Sequence, residues 1–307
     1  MNDDYKRYLL PDVISKIKSF ELRAKFIVEG FITGMHKSPY HGFSVEFAEH
    51  RQYTRGDELR HLDWKVFART GKYYIKQYEE ETNLRAFILL DTSSSMKFQS
   101  SNEVMTKIEY SSVLAAALSS LMMGQRDAVG LVTFNTTLKE YFPPSLKASH
   151  YNLLLKTFER ISKGVKESSG EKTDLATSLS NLSDRLKKRS LIIVLSDFWD
   201  SPERIASALK HFHHQHHEII VFHILDPKER TFDFKNSLEL VDSESGERIA
   251  TNPELIKRAY AEAFHHHTVS FANPLMDSGI EYTMIDTSEP FDIALLSYLK
   301  KRTLMMK

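Results

Sequence analysis

Five short aliphatic runs dominate the chain after residue 84: FILLD (87–91), AVGLVTF (128–134), SLIIVLSD (190–197), EIIVFHIL (218–225) and IEYTMID (280–286). Most are rich in Ile, Val and Leu, with little alternation of polar and apolar positions. Strands that read this way are buried on both faces, and the stretches between them are long enough to supply covering helices. The pattern predicts βαβ units, hence an α/β fold with a doubly wound, mainly parallel sheet. Helical spacing fills two of the gaps: residues 107–123 carry Ile108, Val113, Leu114, Leu118, Leu121 and Met122, and residues 174–187 put Leu175, Leu179, Leu182 and Leu186 on one face. FNTTLKEYF (134–142) reads as a turn and a returning antiparallel edge strand. SLELVDSESGERIA (237–250) reads as a hairpin inserted after the fifth strand.

Before residue 85 the chain is charged and aromatic, with a helix expected over 11–30 followed by extended pieces such as GFSVEFAEHRQY and KYYIKQYEEE. Residues 1–84 are therefore read as a smaller N-terminal helix-plus-β module, and residues 85–307 as the main domain. No low-complexity linker separates them, so the two are expected to pack together. Lys plus Arg equals Asp plus Glu at 41 each, which provides no overall field to attract nucleic acid or an anionic membrane. Cysteine is absent, so thiolate chemistry is excluded and any site must be built from oxygen and imidazole. No run approaches the roughly 18 apolar residues of a spanning helix, and MNDDYKRYLL lacks a signal-peptide core. The expectation is a cytoplasmic protein with no membrane span.

In a doubly wound sheet, ligands gather beyond the carboxyl ends of the strands, near the point where strand order reverses. Three polar segments fall there: DTSSS (91–95), EKTDL (171–175) and LSD (195–197). Together Asp91, Ser93, Ser95, Thr173 and Asp197 make an all-oxygen set. Mg²⁺ prefers oxygens in near-octahedral geometry, keeps waters, and takes one or two carboxylates from protein, so the set points to Mg²⁺, with Mn²⁺ as a substitute. Two carboxylates leave the dication near neutrality while hydroxyls add no charge. The metal then retains Lewis acidity for an acidic side chain of a protein partner. Any one of these segments alone reads as a helix cap; the metal reading comes from three in order.

The segments DTSSS, KTDL and LSD resemble the metal-ion-dependent adhesion site of the von Willebrand factor A domain, over about Arg85 to the C-terminus. That resemblance implies a von Willebrand A, Rossmann-like fold. It also implies Ser93, Ser95 and Thr173 as direct or near-direct ligands, with Asp91 and Asp197 bound directly or through water. Lys172 stands where a glycine often precedes the threonine. The upstream run EFAEHRQYTRGDELRHLDWKVFARTGKYYIKQYEEE (46–81) resembles the bacterial family called domain of unknown function 58, in which it precedes such an A domain. The family resemblance implies a chaperone-like role beside a MoxR-type AAA ATPase, in assembling or maturing other proteins. Many members carry membrane helices ahead of the shared run; this sequence shows none.

Other signals are weaker. RGDELRHLDW packs Arg55, Asp57, Arg60, Asp63 and Trp64 into ten residues, and is read as an ion-pair and hydrogen-bond knot holding the N-terminal module on the main domain. GVKESSGEKT (164–173) has the wrong glycine spacing for a phosphate loop and follows a helix rather than a strand. His213 and His217 have a chelating spacing but no third ligand, and with His265–His267 are read as surface histidines. No GxSxG elbow occurs. The expected function is a non-enzymatic, Mg²⁺-dependent protein-binding module. The alternatives are a Mg²⁺-dependent phosphohydrolase on the same site, which lacks an evident base and cationic clamp, and a scaffold with a vestigial metal site.

Overall fold

The computed structural model describes residues 9–36, 50–52, 64–76, 84–135, 137–164, 175–234, 238–241 and 247–305. The elements run α1 (Pro11–Ser15), α2 (Phe20–His36), β1 (His50–Gln52), α3 (Trp64–Thr70), β2 (Tyr74–Lys76), β3 (Arg85–Asp91), a 3₁₀ turn (Ser95–Lys97), α4 (Lys107–Gly124), β4 (Ala128–Phe134), β5 (Leu138–Ser145) and α5 (Ala148–Ser162). They continue with α6 (Leu175–Ser183), β6 (Leu191–Ser196), α7 (Pro202–His214), β7 (Glu218–Leu225), α8 (Pro227–Thr231), β8 (Leu238–Val241), β9 (Arg248–Thr251), α9 (Pro253–Met276), β10 (Glu281–Asp286) and α10 (Asp292–Met305). The five aliphatic runs are β3, β4, β6, β7 and β10. They join β5 in one six-stranded sheet of order β10-β7-β6-β3-β4-β5. All pairings are parallel except β4 with β5, the antiparallel edge expected from the sequence. From β3 the chain winds outward through β4 to β5, then returns to the other side of β3 at β6 and winds out to β10. Strand order therefore reverses between β3 and β6.

The side-chain period of two divides each central strand between two cores. Ala86, Ile88 and Leu90 of β3, with Leu191, Ile193 and Leu195 of β6, face the cluster built by α4, α5 and α10. Phe87 and Leu89, with Ile192 and Val194, face the cluster built by α6, α7 and α9. β4 and β5 approach so closely at Gly130 that an added Cβ would lie 2.7 Å from the Phe142 carbonyl oxygen and 3.0 Å from the Phe87 ring, so only glycine fits.

The single helix expected over 11–30 is two helices, with α2 extending to His36. The break is held by a tertiary contact: Arg23 donates from Nε to the Ile17 carbonyl (2.7 Å) and from Nη2 to the Ser15 carbonyl (2.9 Å), and pairs through Nη1 with Glu109 of α4 (2.8 Å). Leu9, Ile14, Phe20, Ala24, Ile27 and Phe31 enter the same core cluster as α4. Downstream, α6 stops at Ser183, short of the 187 expected. β1 and β2 form a separate antiparallel pair, and β8 and β9 form the expected hairpin. Of RGDELRHLDW, only Trp64, which opens α3, falls within the described residues; the proposed knot lies outside them. Among the described residues, no helix is long and apolar enough to cross a membrane.

Candidate metal centre

Asp91 is the last residue of β3 and lies at the carboxyl edge beside the reversal point. It is 1% exposed. Its Oδ1 accepts from the Ser93 amide (2.8 Å), which turns the chain back over the strand end, and its Oδ2 accepts from the Ser196 hydroxyl at the end of β6 (2.6 Å). The Ser93 and Ser95 hydroxyl oxygens are 3.0 Å apart. Thr92 ties the same loop to β4, donating from its amide (2.8 Å) and hydroxyl (2.9 Å) to the Phe134 carbonyl. Three loop oxygens are thus gathered at one strand end.

Asp197 follows β6 and is 2% exposed. The Phe198 amide donates to Ser196 Oγ (3.0 Å), and Phe198 itself is held at φ 51°, an unfavourable value for an aromatic residue. Burial of its ring against His223 and Phe271 keeps it there. Asp197 Oδ2 is taken by Lys107 Nζ at 2.7 Å, and the same ammonium contacts Glu229 Oε1 at 2.6 Å. Glu229 in turn accepts from the Asp226 amide (2.8 Å), one half of the capping box of α8, while Asp226 accepts from the Ser100 amide (2.8 Å). The ends of β3, β6 and β7 are therefore linked by one polar network.

The charges are unequal: four buried or largely buried carboxylates, Asp91, Asp197, Asp226 and Glu229, share this network with one ammonium, which pairs with Asp197 and Glu229. Burial, reinforced by the charge of Asp197 and only partly offset by hydrogen bonds from Ser196 and Ser93, pushes Asp91 up to about 7. Burial also raises Glu229, against the pull of Lys107. Burial works to lower Lys107, but the charges of Asp197 and Glu229 outweigh it and raise the ammonium's pKa. His223 is pushed down to about 3 by burial and is neutral, its Nδ1 2.7 Å from the Tyr282 hydroxyl.

Asp91, Ser93 and Ser95 are thus brought together, with Asp197 facing Asp91 across the reversal point. Thr173 lies outside the described residues, as does Lys172. Among the described residues no three His, Asp or Glu side chains cluster as a metal site, so a cation here would depend on the serine hydroxyls. The oxygen donors and the excess negative charge suit a hard dication. The histidine spacing has a different outcome: α7 ends at His214, so His217 is not on the helix with His213. The buried His217 ring instead accepts from the Ser190 amide (3.2 Å) and meets the Leu186 carbonyl (2.9 Å).

Sequence reading missed Lys107, Ser196 and Glu229. For Lys107 the signal was its place directly after the Thr106 cap, where the helix dipole disfavours a cation. For Glu229 it was the Asp-x-x-Glu capping pattern directly after a strand.

The family model described as protein of unknown function DUF58 matches residues 49–270, and the chain belongs to that family. An uncharacterised protein of Mycobacterium tuberculosis is 24% identical over 299 residues, covering 95% of this chain and 90% of the relative. Among solved structures, the chain is similar to BatB from Bacteroides thetaiotaomicron (16% identity, 72% of this chain and 98% of that one, TM-score 0.44). It is also similar to an aerotolerance-related membrane protein from Bacteroides fragilis (19%, 71% and 99%, TM-score 0.46) and to the SpRpn10 VWA domain (11%, 71% and 95%, TM-score 0.38).

Proposed function

We propose that this DUF58 family chain is a divalent-cation-dependent protein-binding module. Asp91, Ser93 and Ser95 would hold Mg²⁺ or Mn²⁺ together with Asp197, and Thr173, two residues before α6 in the sequence, would join them. The observation that carries this reading is the buried excess of carboxylate over ammonium beside two hydroxyls 3.0 Å apart, at the strand-order reversal. Bound there, the cation would supply a Lewis-acid position for a carboxylate oxygen of a partner protein. The chain's own residues fix the loop oxygens, through the Ser93 turn and the Thr92 anchor, and exclude water from the carboxylates. The resemblance to a family encoded beside MoxR-type AAA ATPases supports such an ATPase as the partner, with assembly or maturation of other proteins as the shared task.

The phosphohydrolase reading gains no observation. Lys107, the cation beside Asp197, is fully buried and held by two carboxylates, so it offers a phosphate no clamp. The test is binding of a purified MoxR-type ATPase by wild type and Asp91→Ala, with Mg²⁺ and with chelator. Binding lost on chelation and in Asp91→Ala supports the proposal. Binding indifferent to both refutes it.

A further inference from the structure

Lys107 is an unusual residue for its position. It is the first residue of α4, where the helix dipole opposes a positive charge, and its side chain is fully buried. Such placement is unfavourable in itself and persists only through strong partners. Those partners are held firmly. Glu229 is tied to the start of α8 by the capping box, and its carbonyl accepts from the Tyr260 hydroxyl of α9 at 2.6 Å. The face of Phe98 lies 5.8 Å from Nζ. Asp197, just past the end of β6 and between β3, which ends in Asp91, and β7, which leads into the helix of Glu229, therefore has one of its two oxygens committed to an ammonium that cannot move far.

A carboxylate free to turn both oxygens to a dication can chelate it and displace a water or a ligand. We propose that Lys107 is a positioning residue for the cation: by holding Oδ2 of Asp197 it stops that carboxylate from chelating the ion and so keeps a coordination position vacant for the partner. This inference rests on the metal reading above. A purely structural ion pair would alter stability but leave the cation's hydration unchanged.

The test compares the full chain with Lys107→Met/Glu229→Gln, which removes one positive and one negative charge, leaving the local balance as it was while releasing Asp197. Mn²⁺ is the probe; calorimetry reads its affinity and water-proton relaxation counts the exchangeable waters it keeps. The double variant is expected to bind Mn²⁺ about tenfold tighter, the worth of one released charge-assisted hydrogen bond, and to retain about one water fewer. Equal affinity and equal hydration in the two proteins would overturn the role of Lys107 while leaving the metal site standing. Absence of Mn²⁺ binding by wild type would remove the metal reading and this inference with it. Should the double variant not fold, Lys107→Leu/Glu229→Gln removes the donor with a different apolar side chain, and an unchanged water count there overturns the inference too.

Discussion

Lys107→Met alone should be among the most damaging single substitutions in the metal-free chain. It leaves Asp197 and Glu229, 2.7 and 2.6 Å from the lost ammonium, without their counter-charge at sites where water has little access. Breaking a buried pair from one side costs about 3–5 kcal/mol, chiefly because the remaining charge is stranded. Two carboxylates are stranded here, so the upper part of that range applies. With a urea slope of about 3 kcal/mol per M for a chain of this size, the unfolding midpoint in chelator should fall by about 1.3–1.7 M. Glu229→Gln by itself keeps the Lys107–Asp197 pair and should lower the midpoint much less. The double variant should be more stable than the sum of the two losses, with a coupling of about 1–3 kcal/mol. Far-UV circular dichroism in urea measures all four proteins. A Lys107→Met midpoint within about 0.2 M of wild type, or strict additivity in the cycle, would refute the account of the network.

Three further outcomes follow from other contacts. Asp91, raised from the ordinary 3.8 to about 7, contributes stability to the metal-free fold that is complete below about pH 4 and lost as pH rises through 7. Cation binding displaces that proton, so Mn²⁺ affinity should weaken by about tenfold per unit below pH 7, with proton release visible in calorimetry across buffers; an affinity flat from pH 5.5 to 8 would contradict this. Arg302→Met removes the 2.7 Å bond to the fully buried Asp127 and leaves that carboxylate with Tyr298 (3.0 Å), costing about 3 kcal/mol and loosening α10 in hydrogen exchange; unchanged protection of α10 would speak against it. Gly130→Ala forces a Cβ toward the Phe142 carbonyl, and should cost about 1–3 kcal/mol in a urea melt and expose the β4–β5 edge to exchange, where a neutral result would show that the strands can part freely.

The sheet was legible because its signals are local. Buried parallel strands appear as β-branched runs, and each of the five runs became a strand. The edge strand and the β8–β9 hairpin announced themselves through turn residues between short apolar segments. What the sequence hid depends on contacts between distant residues. Nothing near Ser15 shows that a guanidinium will take its carbonyl and divide the helix. The oxygens of Asp91, Ser93, Ser95 and Asp197 could be placed at one edge because each follows a strand, whereas Lys107 meets partners 90 and 122 residues away in the chain. His213 and His217 show the converse: a spacing that suggests a chelate loses its meaning once the helix ends at His214.

The most direct test of the cation-binding account is anomalous diffraction from crystals of the full chain soaked with Mn²⁺. One peak is predicted, within about 2.5 Å of oxygens from Asp91, Ser93 and Ser95. An ordered, solvent-accessible strand edge with no anomalous peak beside Asp91 would contradict it.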